Sequence, residues 1–280
     1  MTRFENKQLL IVTKHGKEKV LKPILQNGLL VQCVVSNDID TDLFGTFAGE
    51  KERKLTAIET LKAKCAEGVK KDSFDFVLAS EGSFGSHPFI PFAQADEEII
   101  LLYDVKRKTY YQSRVLSTKT NLSSKTVATI HELRSFAEKI GFPEHGIILK
   151  DTEKDFQEVI KDANDWEKLE QAFDKLIKNK TNVFVETDLR AMRNPNRLNV
   201  IAQAAQKLVE LLLNTCPSCE APGFEVQKYE SGLPCEQCGL PTKSIKSHSF
   251  ICRECQHIET VAYPNGKKTE SPQFCDFCNP

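Results

Sequence analysis

The chain has 280 residues, of which 40% are hydrophobic and 28% are charged, and its formal net charge is −1. This composition is that of an ordinary globular protein of one large or two modest domains. The near-zero charge implies no general attraction to nucleic acid or to membrane surfaces. No apolar run approaches the ~20 residues of a membrane helix, and the first residues lack the apolar segment of a signal peptide. We therefore predict a cytoplasmic protein.

The chain is predicted to open with a β-α-β unit. Residues 8–13 and 29–35 are short apolar runs typical of buried strands, and the segment 19–25 between them has helical character. Two strands joined through a helix pair in parallel, so this unit predicts an α/β core. A polar loop over 36–52 follows, and its unusual length favours a functional role.

Further helices and strands are predicted over the rest of the first 213 residues. A strand over 74–79 leads directly into Glu81. Ser124 and Asn194 are predicted to cap the starts of two later helices, and Gly141 follows the end of the first of them. The other predictions are helices over 53–69, 126–140, 166–177 and 195–213, hairpin strands over 97–105 and 109–116, strands over 146–149 and 182–186, and an ambiguous segment over 152–163.

Cysteine spacing sets the end of the chain apart. Its eight cysteines form four Cys-x-x-Cys pairs: Cys216 and Cys219, Cys235 and Cys238, Cys252 and Cys255, and Cys275 and Cys278. Pairs at this spacing in a reducing compartment predict two zinc ions, each bound by four thiolates. Four thiolates leave no open coordination position, so both sites are predicted to be structural. Cys33 and Cys65 lie in apolar segments and are predicted to be buried as small hydrophobic residues.

The sequence leaves the pairing of the four motifs open. We favour two successive zinc ribbons, in which the first pair joins the second and the third joins the fourth. An interleaved arrangement, in which the first pair joins the third, needs longer loops and is the alternative. The segment has few large aliphatic residues, so the metals are expected to supply much of its stability.

These patterns predict an α/β domain that binds phosphate or nucleotide over residues 1–213, with a mixed, largely parallel sheet and flanking helices. A double zinc-ribbon module with two four-cysteine sites follows over 214–280. Residues 215–280 carry six Lys and Arg against eight Asp and Glu. Eight thiolates and two Zn²⁺ would add about four negative charges. The module is therefore predicted to contact a protein partner or to be purely structural, and nucleic acid is disfavoured.

Polar segments follow three predicted strands, and the carboxyl ends of parallel strands meet at one edge of a sheet. The segments span residues 14–17, 81–85 and 187–194. Arginines crowd the start of the last predicted helix, where free N–H groups and the helix dipole favour an anion. The predicted phosphate-binding residues are Lys14, Lys17, Arg190, Arg193 and Arg197. We expect them to share one pocket with Glu81.

Glu81 is the predicted catalytic or metal-binding carboxylate. It follows a buried strand and precedes Gly82 and Gly85, which would let the backbone approach a ligand. Because Mg²⁺ prefers one or two carboxylates together with substrate phosphates, this position predicts a magnesium site. The alternative is a solvated loop carboxylate. The polar loop offers five candidates for a second ligand, among which the sequence does not choose: Asp38, Asp40, Asp42, Glu50 and Glu52.

Motifs between residues 8 and 105 carry a family resemblance. They are Thr13 and Lys17 in the first turn, Glu59-Thr60-Leu61-Lys62-Ala63-Lys64-Cys65 in a helix, and Glu81-Gly82 after the third strand. This layout resembles the house-cleaning purine nucleoside triphosphate pyrophosphatases, the inosine and xanthosine triphosphatase group. The resemblance implies that Glu81 is the metal-binding or catalytic carboxylate and that Lys17 contacts phosphate. His15 and Thr60 stand where that group has asparagine, and the zinc module has no counterpart in it.

Segments spread over the whole chain carry a second resemblance. They are Thr13-Lys-His-Gly-Lys-Glu18, Asp40-Thr-Asp-Leu-Phe-Gly-Thr46, Ser80-Glu-Gly-Ser-Phe-Gly85, Arg190-Ala-Met-Arg-Asn-Pro195 and Cys275-Asp-Phe-Cys-Asn-Pro280. In these segments the chain is similar to an uncharacterised bacterial family, a domain of unknown function. The match is specific, but it implies no activity.

Two functions compete on this sequence. The favoured one is a Mg²⁺-dependent hydrolase of a nucleotide or another phosphorylated small molecule, in which the metal bridges phosphate oxygens and activates a water molecule. The alternative is a non-enzymatic protein whose zinc ribbons bind a protein or nucleic-acid partner.

Overall fold

The computed structural model describes residues 3–36, 39, 55–71, 73–178 and 180–280. The chain divides into two compact units, Met1–Leu208 and Val209–Pro280. The second unit is called the cysteine module below. Most of the predicted polar loop over 36–52, with all five of its candidate metal ligands, lies outside the described residues.

The first unit contains a mixed five-stranded sheet. Its strands are β1 (Gln8–Val12), β2 (Gln32–Ser36), β3 (Phe76–Ser86), β4 (Gln94–Asp104) and β5 (Thr109–Ser117). They lie in the order β2-β1-β3-β4-β5, with β1 parallel to both of its neighbours and the other pairs antiparallel. The α/β fold class and the mixed sheet are confirmed. Parallel pairing involves only β1 among the described strands, because the short connections after β3 and β4 can join only antiparallel strands.

Two helices connect the parallel strands, α1 (Glu18–Leu29) and α2 (Ala57–Val69). A capping box fixes the start of α2, since Thr56 and Glu59 each accept a hydrogen bond from the other's backbone N–H. A Cβ at Gly68 would overlap the side chain of Val77. The glycine therefore lets α2 approach the sheet closely. Cys65 on α2 and Cys33 on β2 are both buried, as predicted.

A second, antiparallel sheet follows in the same unit. It contains β6 (Ser124–Val127), β7 (Ile147–Lys150), β8 (Val159–Ile160) and β9 (Val183–Thr187), in the order β6-β9-β7-β8. It packs with α3 (Ile130–Ile140) and α4 (Trp166–Ile177) around a buried apolar core. The predicted start of α3 at 126 and the Ser124 cap are wrong. Residues 124–127 pair with β9, and Thr129 caps α3 through a capping box with Glu132.

The last helix, α5 (Pro195–Leu213), has the predicted bounds. Asn194 caps it as predicted, because its Oδ1 accepts a hydrogen bond from the Arg197 N–H at 3.1 Å. The cysteine module then forms a three-stranded antiparallel sheet from β10 (Val226–Ser231), β11 (Ile245–Ile251) and β12 (Ile258–Ala262). Within the described part of the chain, none of the helices is both long enough and apolar enough to span a membrane.

Candidate functional site

The cysteine module gathers its cysteines into two clusters, and the sulfur atoms of each cluster lie within 4.8 Å of one another. The first cluster is Cys216, Cys219, Cys252 and Cys255, and the second is Cys235, Cys238, Cys275 and Cys278. The predicted succession of two ribbons is therefore wrong, and the interleaved alternative is confirmed. Strand register is the reason. Val226 at the start of β10 pairs with Phe250 near the end of β11, which brings the first and third cysteine pairs to one end of the sheet.

Distances between sulfur atoms fit a tetrahedral metal site. A Zn–S bond of about 2.3 Å implies tetrahedron edges of about 3.8 Å. The Sγ atoms of Cys216 and Cys255 lie 3.7 Å apart, and those of Cys219 and Cys252 lie 3.6 Å apart. The corresponding distances in the second cluster are 3.9 and 3.7 Å. Each cluster can thus hold one ion, and the chemistry of four thiolates fits zinc or iron.

The same tight turn carries all four cysteine pairs. In each turn the carbonyl of the first cysteine accepts the N–H of the residue four positions later, namely Glu220, Gly239, Gln256 or Asn279. Backbone N–H groups also face individual sulfur atoms. Burial raises the pKa of Cys252, but hydrogen bonds from the N–H groups of Cys255 and Glu254 lower it. The resulting pKa of Cys252 is about 7. Such donors favour the thiolate, which is the form that binds metal.

A second candidate site lies where β1 stops and β3 continues. The last β1–β3 pair is Val12 with Ala79, whereas β3 stays paired with β4 as far as Ser86. Lys17 fills the edge that β1 leaves, and its Nζ donates to the Ser80 Oγ at 3.1 Å and to the Ser80 carbonyl at 3.4 Å. The predicted end of this strand at residue 79 is therefore wrong. Glu81 lies inside β3 and not in a loop.

Glu81 forms a buried ion pair with Lys64 of α2. Glu81 is 6% exposed, so the solvated-loop alternative is excluded. Lys64 is the lysine of the helix motif on which the pyrophosphatase resemblance rests. The glutamate of that motif, Glu59, serves instead in the capping box at the start of α2.

The next residue of β3 faces the opposite side of the sheet, as successive strand residues do. Gly82 lies opposite Glu98 of β4, and the Arg197 Nε of α5 donates to the Glu98 Oε1 at 2.6 Å. A Cβ at Gly82 would overlap both the Glu98 carboxylate and the Arg197 guanidinium. Glycine is therefore the residue that leaves room for this buried ion pair.

Lys17 and Asp96 complete this set of charges. The Lys17 Nζ lies 3.9 Å from the Glu98 Oε2, and burial lowers the pKa of Lys17 to about 8. Asp96 is 1% exposed, and burial together with the Glu98 charge raises its pKa to about 7. We call these side chains the ion cluster: Lys17, Lys64, Glu81, Asp96, Glu98 and Arg197. Perturbed pKa values produced by burial and by specific charges are typical of functional sites.

The predicted phosphate-binding residues are divided in the structure. Lys17 and Arg197 belong to the ion cluster. Arg190 instead pairs with Asp188 at 2.6 Å and with Asp162 at 2.9 Å, and Arg193 pairs with Asp162 at 3.0 Å. The first turn, which carries the half-buried Lys14, does approach this arginine segment: a Cβ at Gly16 would lie 3.3 Å from the Met192 Cβ.

The family model described as "Domain of unknown function (DUF6671)" matches residues 64–280. The chain belongs to this family. The similarity to a family of unknown function is thus confirmed, and the matched segment includes every cysteine of the two clusters and all of the ion cluster except Lys17. No curated protein and no solved structure matches the chain. The resemblance to the pyrophosphatases stays a prediction.

Sequence reasoning missed Asp96 and Glu98. The signal was available, because Asp96-Glu97-Glu98 precedes the apolar run Ile99–Leu102 at the start of the predicted hairpin. Strand alternation puts Asp96 and Glu98 on one face and Glu97 on the other, where Glu97 pairs with Arg114 near the surface. Two carboxylates two positions apart, at the start of a buried strand, indicate a charged site on that face.

Proposed function

We propose that the chain is a divalent-metal-dependent hydrolase of a nucleotide or another phosphorylated small molecule, and that it acts at the ion cluster. The main support is the presence of three buried cations beside three buried carboxylates. They lie at the carboxyl end of β1, the edge at which α/β sheets bind ligands. Stability alone does not account for such a cluster, because buried ion pairs replaced by apolar residues often leave a protein equally stable.

The side chains of the cluster have the chemistry that a metal–phosphate complex requires. Glu81 on the α2 face of the sheet and the β4 carboxylates on its α5 face each offer hard oxygen ligands suited to Mg²⁺. A bound Mg²⁺ would polarise the phosphate and lower the pKa of an attacking water molecule. Lys17, Lys64 and Arg197 would turn from carboxylate to phosphate oxygens and offset their charge. Lys14, Arg190 and Arg193 are further proposed phosphate contacts, and both arginines must first leave their aspartates.

A substrate screen tests the proposal. Nucleoside triphosphates, including the inosine and xanthosine forms, are assayed for release of phosphate or pyrophosphate with Mg²⁺ or Mn²⁺. The Glu81→Gln variant is expected to lower kcat by about 10²-fold or more if this carboxylate acts in the reaction. Glu97→Gln is the matched control on the neighbouring strand and should keep the wild-type rate.

A folding control and a rejecting outcome complete this test. Glu81→Gln leaves Lys64 buried without its partner, so the double variant Glu81→Gln/Lys64→Met separates loss of activity from loss of folding. It should fold and remain inactive. If the wild-type protein hydrolyses none of the triphosphates and none of them raises its Tm, the hydrolase proposal is rejected.

We further propose zinc as the ion of both cysteine clusters, with a structural role. The sulfur geometry and the four-thiolate ligand sets support this choice. Thiolate ligands need a reducing compartment, which agrees with the predicted cytoplasmic location. Elemental analysis should find about two zinc ions per chain. A content of less than about one zinc per chain, or iron detected by its visible absorption, would overturn the proposal that both clusters bind zinc.

Protein binding by the cysteine module is the second candidate function. Phe274 is 58% exposed and Phe277 is 71% exposed, and both lie beside the last cysteine pair. Exposed aromatic residues are enriched at protein interfaces. Affinity capture with the zinc-loaded wild type and with Phe274→Ser/Phe277→Ser tests this function. It predicts a partner that only the wild type retains, and identical captures would reject it.

A further inference from the structure

The ammonium group of Lys17 is buried inside the protein and lies among oxygen atoms. The described polar contacts of its Nζ are the Ser80 Oγ at 3.1 Å, the Ser80 carbonyl at 3.4 Å and the Glu98 Oε2 at 3.9 Å. A hydroxyl, a carbonyl and a carboxylate are also the ligands that hard divalent cations prefer. The ammonium therefore occupies surroundings that would suit a metal ion.

Two buried carboxylate oxygens on β4, one of them 3.9 Å from this ammonium, lack hydrogen bonds. Among the described residues, the Asp96 Oδ1 and the Glu98 Oε2 are fully buried acceptors without a hydrogen-bond donor. Their residues are 1% and 0% exposed. Buried polar atoms are rarely left in this state, because an unsatisfied acceptor loses its hydration without compensation. Both side chains lie on the same face of β4, so one ligand could bind both oxygens.

We infer that Asp96 and Glu98 form a divalent-cation site of the Mg²⁺ or Mn²⁺ class, which the Lys17 ammonium covers in this structure. The inference rests on the proposed function in taking this cation to be the metal of the reaction. The site lies on the α5 side of the sheet, whereas Glu81 faces α2. The inferred site therefore takes its carboxylate ligands from β4.

Charge balance explains why Lys17 and a metal ion would compete for this site. Two carboxylate side chains, Asp96 and Glu98, lie in the same buried cluster as two cationic side chains, Lys17 and Arg197. A divalent ion added to this set would repel the ammonium at close range. Removal of the ammonium should therefore strengthen metal binding.

A manganese titration tests the inference without any substrate. Mn²⁺ is added to the full-length, zinc-loaded protein, and the free ion is measured by its electron paramagnetic resonance signal. We expect the wild type to bind about one Mn²⁺ at this site. Asp96→Asn should weaken binding by about tenfold or more, and Lys17→Met should strengthen it by about tenfold or more. Glu97→Gln, whose carboxylate faces the other side and pairs with Arg114, should bind like the wild type.

The two variants with opposite expected effects keep the test decisive. Glu98→Gln is avoided because it would leave Arg197 buried without its carboxylate. Circular dichroism checks that each variant is folded. If Asp96→Asn and Lys17→Met bind Mn²⁺ like the wild type, or if none of the proteins binds it, the inferred site is rejected.

The outcome is separable from that of the proposed function. Mn²⁺ binding that follows the expected order, in a protein that hydrolyses no triphosphate, would support the cation site and reject the hydrolase. If the wild type hydrolyses a triphosphate but Asp96→Asn and Lys17→Met bind Mn²⁺ like the wild type, the cation site is rejected and the hydrolase proposal is retained.

Discussion

The two units of the chain place their polar chemistry in opposite surroundings. In the first unit, charged side chains are buried on both faces of a sheet whose apolar residues pack against helices, as Val77 packs in one cluster with Leu61 of α2. In the cysteine module, the described apolar cluster is small and is built from Ala221 and Phe224 together with Cys216 and Cys252. Every residue of β12 is exposed. The apolar core of the first unit can accommodate buried charge, whereas the module has little apolar core of its own.

This comparison indicates different sources of stability. Burial of apolar area stabilises the first unit, and its ion cluster is an exception within that core. The module buries the first cysteine of every pair, namely Cys216, Cys235, Cys252 and Cys275. Ligands that are brought together only in the folded state convert the free energy of metal binding into free energy of folding. Three experiments test the comparison.

Metal removal should have the largest effect, and only on the module. Structural zinc contributes on the order of 10–16 kcal/mol in small zinc-dependent domains. A strong chelator should therefore unfold β10–β12 while the sheets of the first unit persist. Hydrogen exchange measured by segment checks this expectation, with elemental analysis to confirm that the metal has left. Unchanged protection of the β11 amides in metal-free protein would contradict it.

Arg197→Met tests the buried charge of the first unit. It leaves the Glu98 carboxylate buried without its guanidinium partner, and such a loss costs about 3–5 kcal/mol. The double variant Arg197→Met/Glu98→Met removes both charges and should recover most of the lost stability. Urea unfolding at neutral pH measures both free energies. If the double variant is as unstable as the single one, the ion pair is a net source of stability, and the argument that it is retained for function loses its basis.

The sequence predicted the metal chemistry of the module better than it predicted which cysteine pairs share a cluster. The spacing of the cysteines predicts that they are ligands, and the tight turns bring them into two clusters that could each hold an ion. Which pairs share an ion depends on the register between β10 and β11, through the pairing of Val226 with Phe250. That register is a long-range property that local spacing does not report. The preference for short loops therefore selected the wrong pairing.

In the first unit, elements with strong local sequence signals were predicted well, and the residues of the site were predicted in part. Helices α4 and α5 have the expected bounds, because apolar periodicity marks both of them and Asn194 caps the start of α5. The extension of β3 through Glu81 was missed because Ser-Glu-Gly-Ser is typical of a loop. It becomes a strand through its pairing with β4 and through Lys64 on α2. Glu81 and Lys17 were identified as site candidates, but their partners required the tertiary structure.

Two glycines on β3 offer the smallest and most local test of the comparison. A Cβ at Gly82 would overlap the Glu98–Arg197 ion pair, whereas a Cβ at Gly85 would meet no atom within 4 Å. Gly82→Ala should therefore destabilise the first unit by about 1–3 kcal/mol, the usual cost of overpacking. Gly85→Ala should stay within about 0.5 kcal/mol of the wild type, as substitutions away from packed sites do.

The midpoints and slopes of urea unfolding measure the difference. Because both glycines lie in the same strand, strand propensity cancels between the two variants. Equal stabilities would show that the ion pair adapts to an added methyl group, and the ion cluster would then be looser than the geometry indicates.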